Sequence, residues 1–145
     1  MKHDKLTISL GFMAAFAGDA AHAHHSQALF DMSKCQVLAG TVQSFQLQFP
    51  HSWLWVVVPN GRGGMDTWGL ESSAPAQMTE VDRRWKRDVV KKGDKITVKI
   101  SPMKDGRTGG ALASLTLPDG TTLRAATPAC AKEMKAPNPA AGVSK

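Results

Sequence analysis

Cysteine is scarce in this sequence: there are two in 145 residues, with no C-x-x-C spacing between them. No helical H-x-x-x-H pair and no closed Cys/His set is present either, which argues against a structural zinc site. Long hydrophobic runs are missing as well. No apolar segment reaches the roughly 20 residues needed to cross a bilayer as a helix. The G-x-S-x-G elbow of many hydrolases is absent, and no Cys/His pair has a recognisable catalytic context. Gly61-Arg62-Gly63-Gly64 and Gly106-Arg107-Thr108-Gly109-Gly110 lack the G-K-[ST] ending and the strand–loop–helix context of a phosphate-binding loop. Asp31, Glu71 and Asp94 are isolated carboxylates, and no internal repeat is found. Catalysis therefore has little support.

What is present fits one globular domain: 42% hydrophobic residues, 21% charged residues and a formal net charge of +6. Lys2 and Lys5 precede an apolar run from Leu6 to Ala17, and a short polar stretch ends in Ala21-His22-Ala23. A basic start, a short apolar centre and an A-x-A close describe a secretory signal peptide over residues 1–23. Cleavage there leaves the charge unchanged, because Lys2 and Lys5 are offset by Asp4 and Asp19. Export to the periplasm or beyond favours pairing of Cys35 with Cys130. Such a bond closes a loop of about 95 residues, for which chain entropy gives roughly 4–5 kcal/mol less any strain. The alternative is two free thiols, one of them a soft metal ligand.

Residues 24–130 read as one domain. A first strand is expected from Val37 to Phe49, and its alternation changes phase. Leu38, Gly40 and Val42 keep one register; Phe45, Leu47 and Phe49 keep the other. One extra residue near Gln43-Ser44, a β-bulge, produces that shift. Trp53–Val58 is apolar on both parities, as for a strand covered on both faces. Pro59–Gly64 is a turn, and Met65–Glu71 is a third strand with Trp68 and Leu70 on one face. From residue 74 to 90 the period becomes helical, with Met78, Val81, Trp85 and Val89 forming a stripe. Pro75 suits the first turn and Ser73 is a candidate N-cap. Strands follow at Lys95–Ile100, Ala111–Leu117 and Thr121–Arg124. Residues 131–145, rich in Ala, Pro and Lys, read as a flexible tail. Three strands, a helix and two or three strands match a mainly β, OB-like (oligonucleotide/oligosaccharide-binding) barrel of five to six strands, closed or partly open. A small β-sandwich is the alternative.

The candidate chemistry lies at the new N-terminus. Cleavage after Ala23 would give His24 a free α-amine beside its own imidazole. Two such nitrogens can chelate one ion, and one more imidazole completes a three-nitrogen arrangement suited to copper. His51, in Phe49-Pro50-His51-Ser52-Trp53, is the expected third ligand, and His25 could supply an amide or imidazole nitrogen instead. Against this stands the ordinary fate of a lone histidine among aromatics, which is to be partly buried and hydrogen-bonded. Soft ligands are at hand in Met32, Met65, Met78, Met103 and Met134, with Met78 on the helix stripe and so in the core.

A basic segment runs through Arg83, Arg84, Lys86, Arg87, Lys91, Lys92, Lys95, Lys99, Lys104 and Arg107. On an OB-like barrel it raises nucleic-acid binding. Yet Glu80, Asp82 and Asp88 precede Arg84, Lys86 and Lys92 by four, the favourable helix-surface pairing. Export also removes the chain from intracellular nucleic acid. A solvated helix face is expected, and no nucleic-acid partner.

His24-His25-Ser26, Phe30-Asp31, Gly40-Thr41-Val42, Pro50-His51-Ser52-Trp53, Trp68-Gly69-Leu70-Glu71, Lys92-Gly93-Asp94 and Asp105-Gly106-Arg107 occur in a characteristic order. Over about residues 24–124 the chain resembles a family of small exported bacterial proteins of unknown function. That family's hallmark is the His-His-Ser start together with an Asn-Pro-His motif. Here Phe49 replaces the usual Asn, and Arg84 stands where a glycine is usual before Trp85. The resemblance supplies no reaction, but it pairs the same two histidine sites. The cysteine pair is no part of its pattern.

The leading expectation is an exported binding protein that holds copper through the His24 amine and imidazole with His51, His25 being the other candidate nitrogen source. Asp31 and Glu71 are the expected outer partners of the ligands. The alternative is a metal-free module whose barrel binds a peptide, glycan or cell-envelope component, with Trp53, Trp55 and Trp68 as stacking surface unless they are core. A copper-dependent oxidase would need an open coordination position and a substrate groove.

Overall fold

Alternation governs the first strand, β1 (Gln36–Gln46), and its interruption shapes the molecule. The protein's structure is a computed structural model that describes residues 28–135. β1 pairs antiparallel with β2 (Trp53–Pro59), passing from Val42↔Val56 to Ser44↔Trp55, so Gln43 is the bulged residue. Leu38 and Val42 point inward before it, and Phe45 and Leu47 pack on the core after it. The phase change in the sequence is thus the bend in the strand. At Gly40 the wall curls tightly: a Cβ there would lie 2.6 Å from both a Val56 methyl and the Val57 carbonyl.

β2 pairs with β3 (Met65–Glu71), and β1 pairs on its other edge with β4 (Lys95–Pro102). β4 pairs with β5 (Gly109–Thr116), which carries the short β6 (Thr122–Arg124). A parallel pairing of Gly69, Leu70 and Glu71 with Gly109, Gly110 and Ala111 joins β3 to β5. The result is a closed five-stranded barrel, β1-β2-β3-β5-β4, with β6 as an extra strand. The mainly β barrel with a helix between its third and fourth strands is the expected one. Leu54, Val56, Leu70, Val98, Ile100, Leu112 and Leu115 fill it.

Several details depart from the sequence reading. β2 is covered on one face only: Leu54, Val56 and Val58 are buried, while Trp55 keeps 36% of its surface exposed. Helix α1 covers only Pro75–Val81, not 74–90. Asp82 is extended, and its carboxylate accepts bonds from the Arg84 backbone and guanidinium, which ends the helix. Trp85 and Val90 are still buried, but from turns; Val81 is 49% exposed. The expected four-residue ion pairs do not form, since no helix carries them. Ala74, not Ser73, stands at the N-cap position, and the Ser73 hydroxyl donates instead to the Ala126 carbonyl. Finally, the first residues of the expected tail form helix α2 (Ala131–Lys135), with Met134 packed on a second apolar cluster, while residues 136–145 lie outside the described residues.

That second cluster lies outside the barrel core and contains Phe30, Ala111, Ala113, Ala129 and Cys130. Cys35 and Cys130 are joined by a disulfide, as expected. It ties the segment before β1 to the start of α2. Among the described residues no helix is long and apolar enough to cross a membrane.

Candidate functional site

Ser52 fixes the entry to β2. Its N–H donates to the Ser73 carbonyl at 3.2 Å, and its own carbonyl accepts from Ser72 at 2.8 Å. The ladder beyond sets Trp53 opposite Glu71. Residues 51, 53 and 55 follow one parity of an extended chain, so His51 lies diagonally across from Glu71 on the barrel's outer side. The two side chains meet: Nδ1 of His51 is hydrogen-bonded to Oε1 of Glu71. Where the carboxylate is ionised it only accepts, so Nδ1 is the donor, and in a neutral ring the lone pair is then on Nε2. Glu71 is 11% exposed at its side chain and His51 30%. Among the described residues Nε2 makes no hydrogen bond.

The pair faces a cavity of about 210 Å³, lined also by Phe30, Met32, Gln77 and Thr127. Its walls come from the lead-in before β1, the ends of the β2–β3 hairpin, helix α1 and the segment before Cys130. A larger concavity of about 540 Å³ opens elsewhere, lined by Val57, Ile96, Leu117 and Lys95. Lys95 is its titratable group and donates to Thr41 at 2.7 Å, so the groove offers little chemistry.

The sequence-derived residues separate accordingly. Glu71 is hydrogen-bonded to His51. Asp31 does not line the cavity. Its carboxylate accepts from the Ser33 hydroxyl and N–H and pairs with Lys34 at 3.0 Å, which holds it below the usual carboxylate range. Asp31 secures its own turn instead. Trp53 and Trp55 stack on the outer face, with ring centroids 5.8 Å apart and planes 17° from parallel. Trp68 turns inward and packs against the core. Arg83, Lys86, Arg87, Lys91 and Lys92 are exposed on turns. His24 and His25 lie outside the described residues. Gln77 and Thr127 carried no signal in the sequence, since only the closed barrel brings them to His51. Among the described residues no group of three or more His, Cys, Asp or Glu could hold a metal ion.

The pattern of one family, described as a family of unknown function (DUF6152), matches residues 13–113. No curated protein and no solved structure matches the chain.

Proposed function

The chain belongs to the DUF6152 family, and from that premise we propose that it is an exported protein that binds copper. Its ligands are the α-amine and imidazole of His24, with His25 as a further nitrogen source, and Nε2 of His51. The observation that carries this reading is the hydrogen bond between His51 Nδ1 and Glu71. A carboxylate on one ring nitrogen fixes the tautomer and orientation and makes the other nitrogen more basic, which is how ligating histidines are held. Chain length supports it too. Phe30 lines the same cavity as His51. His24 precedes Phe30 by six residues, within about 20 Å of extended chain.

Export rests on the Lys2/Lys5 start, the apolar run and Ala21-His22-Ala23, in keeping with a disulfide between Cys35 and Cys130. The ring order β1-β2-β3-β5-β4, with α1 between β3 and β4, supports reading the barrel as OB-like. A bound copper would supply redox and Lewis-acid chemistry; the chain's own part is to hold it. Calorimetric titration of the processed protein with Cu(II) tests the proposal. One equivalent should bind, and His24→Ala and His51→Ala should each weaken binding by about a hundredfold. Equal affinity in His51→Ala would overturn it.

One observation favours a second reading. The stacked, partly exposed Trp53–Trp55 pair suits a metal-free module for a peptide, glycan or envelope component. Under that reading the Cu(II) titration of the native protein is flat.

A further inference from the structure

Three methionines, Met32, Met103 and Met134, pack against the cluster around the disulfide. Met32 alone among them lines the cavity that holds His51 and Glu71. Its backbone is held from both directions. Phe30 forms a bridge with Met103, and the Asp31 N–H donates to the Pro102 carbonyl at 2.8 Å. The Lys34 N–H then closes a turn onto the Asp31 carbonyl at 3.0 Å. Next along the chain, Cys35 is bonded to Cys130, whose preceding residues Ala126–Pro128 form another part of the cavity wall.

The donors in this cavity differ in kind. Imidazole is borderline, a thioether is soft and uncharged, and the one carboxylate already accepts from His51. Phe30, Ala111, Ala126 and Pro128 share the remaining wall with Ser72, Ser73, Gln77 and Thr127. A thioether beside an imidazole is a donor set that favours a soft ion such as Cu(I) over a hard one.

We infer that Met32 is a ligand of this site, so that it takes Cu(I) through Met32 Sδ and His51 Nε2. The inference rests on the copper reading, but its donors all lie within the described residues and none is the N-terminal amine. The site then retains copper in either oxidation state with different partners: nitrogens of the terminus for Cu(II), and the thioether for Cu(I).

Anaerobic titration of Cu(I) against a chromophoric chelator tests this, using the native protein, Met32→Leu and Met103→Leu. Met-to-Leu exchange conserves volume, so both variants should keep the native melting temperature within a few degrees. Met32→Leu should lose at least about tenfold in Cu(I) affinity, the low end of the loss expected even for an outer partner of a metal ligand. Its Cu(II) affinity should change less than about twofold, and Met103→Leu should match the native protein for both ions. A copper-edge X-ray absorption spectrum of the Cu(I)-loaded native protein should contain a sulfur neighbour. Native Cu(I) affinity in Met32→Leu, or a spectrum without sulfur, would overturn the inference. Should Cu(II) binding still require His24, the N-terminal reading survives that result; should Cu(II) binding be absent as well, both fall.

Discussion

At the scale of single residues, Glu71 determines what His51 can do. With Nδ1 donating to the carboxylate, Nε2 is the nitrogen available to an ion. Glu71→Gln keeps the shape and removes the charge, so Cu(II) affinity should fall by about tenfold while the melting curve changes little. Calorimetry beside a thermal scan checks both. Gly69 answers to packing. A Cβ there would sit 2.7 Å from the Trp55 ring of the neighbouring strand. Gly69→Ala should displace that ring, cost roughly 1–3 kcal/mol in urea denaturation and alter the near-ultraviolet dichroism of the Trp53–Trp55 stack. His51 stood out in the sequence, flanked by aromatics at a strand end. Glu71 was named beside Asp31 as an expected outer partner, and only the β2–β3 register selects it for His51, since a shift of one residue would turn Glu71 away.

At the scale of elements, strands were more legible than the helix. Most strand ends were read to within a few residues, and a change of phase in the alternation of β1 placed a bulge near Gln43-Ser44, where the structure has it. The helical stripe through Trp85 and Val89 was misleading, since turns can also bury large apolar residues. Trp85 is held by its indole, which donates to the Arg124 carbonyl at 2.7 Å, rather than by helical neighbours. Asp82 stops the helix and pairs with Arg84, whose guanidinium holds its carboxyl down at about 2 against an ordinary 3.8. A depressed carboxyl pKa contributes stability above the unfolded value and loses it as pH falls through the folded one. Asp82→Asn should therefore cost about 1 kcal/mol near neutrality, a modest sum because Arg84 is half exposed. Urea denaturation at several pH values should show the gap to the native protein closing between about pH 4 and pH 2.

Across the whole molecule, the barrel positions His51, and the disulfide positions the wall opposite. Cys35 and Cys130 are 95 residues apart, so replacing both with serine should cost about 2–5 kcal/mol in chemical denaturation. A barrel, closed or partly open, was expected from the element order, but the cavity was not. Met32 reaches it through the Phe30–Met103 bridge and the disulfide, and Thr127 reaches it from the far end of the chain. Such contacts join distant residues, and local periodicity carries no trace of them. The central claim concerns the one donor that exists only after processing, the α-amine of His24. Its most direct test is Cu(II) affinity measured on the protein beginning at His24 and on the same protein carrying one extra residue before it. The extension leaves every side chain in place and converts the amine into an amide, so affinity should fall by about a hundredfold or more. Equal affinity in the two proteins would contradict the account.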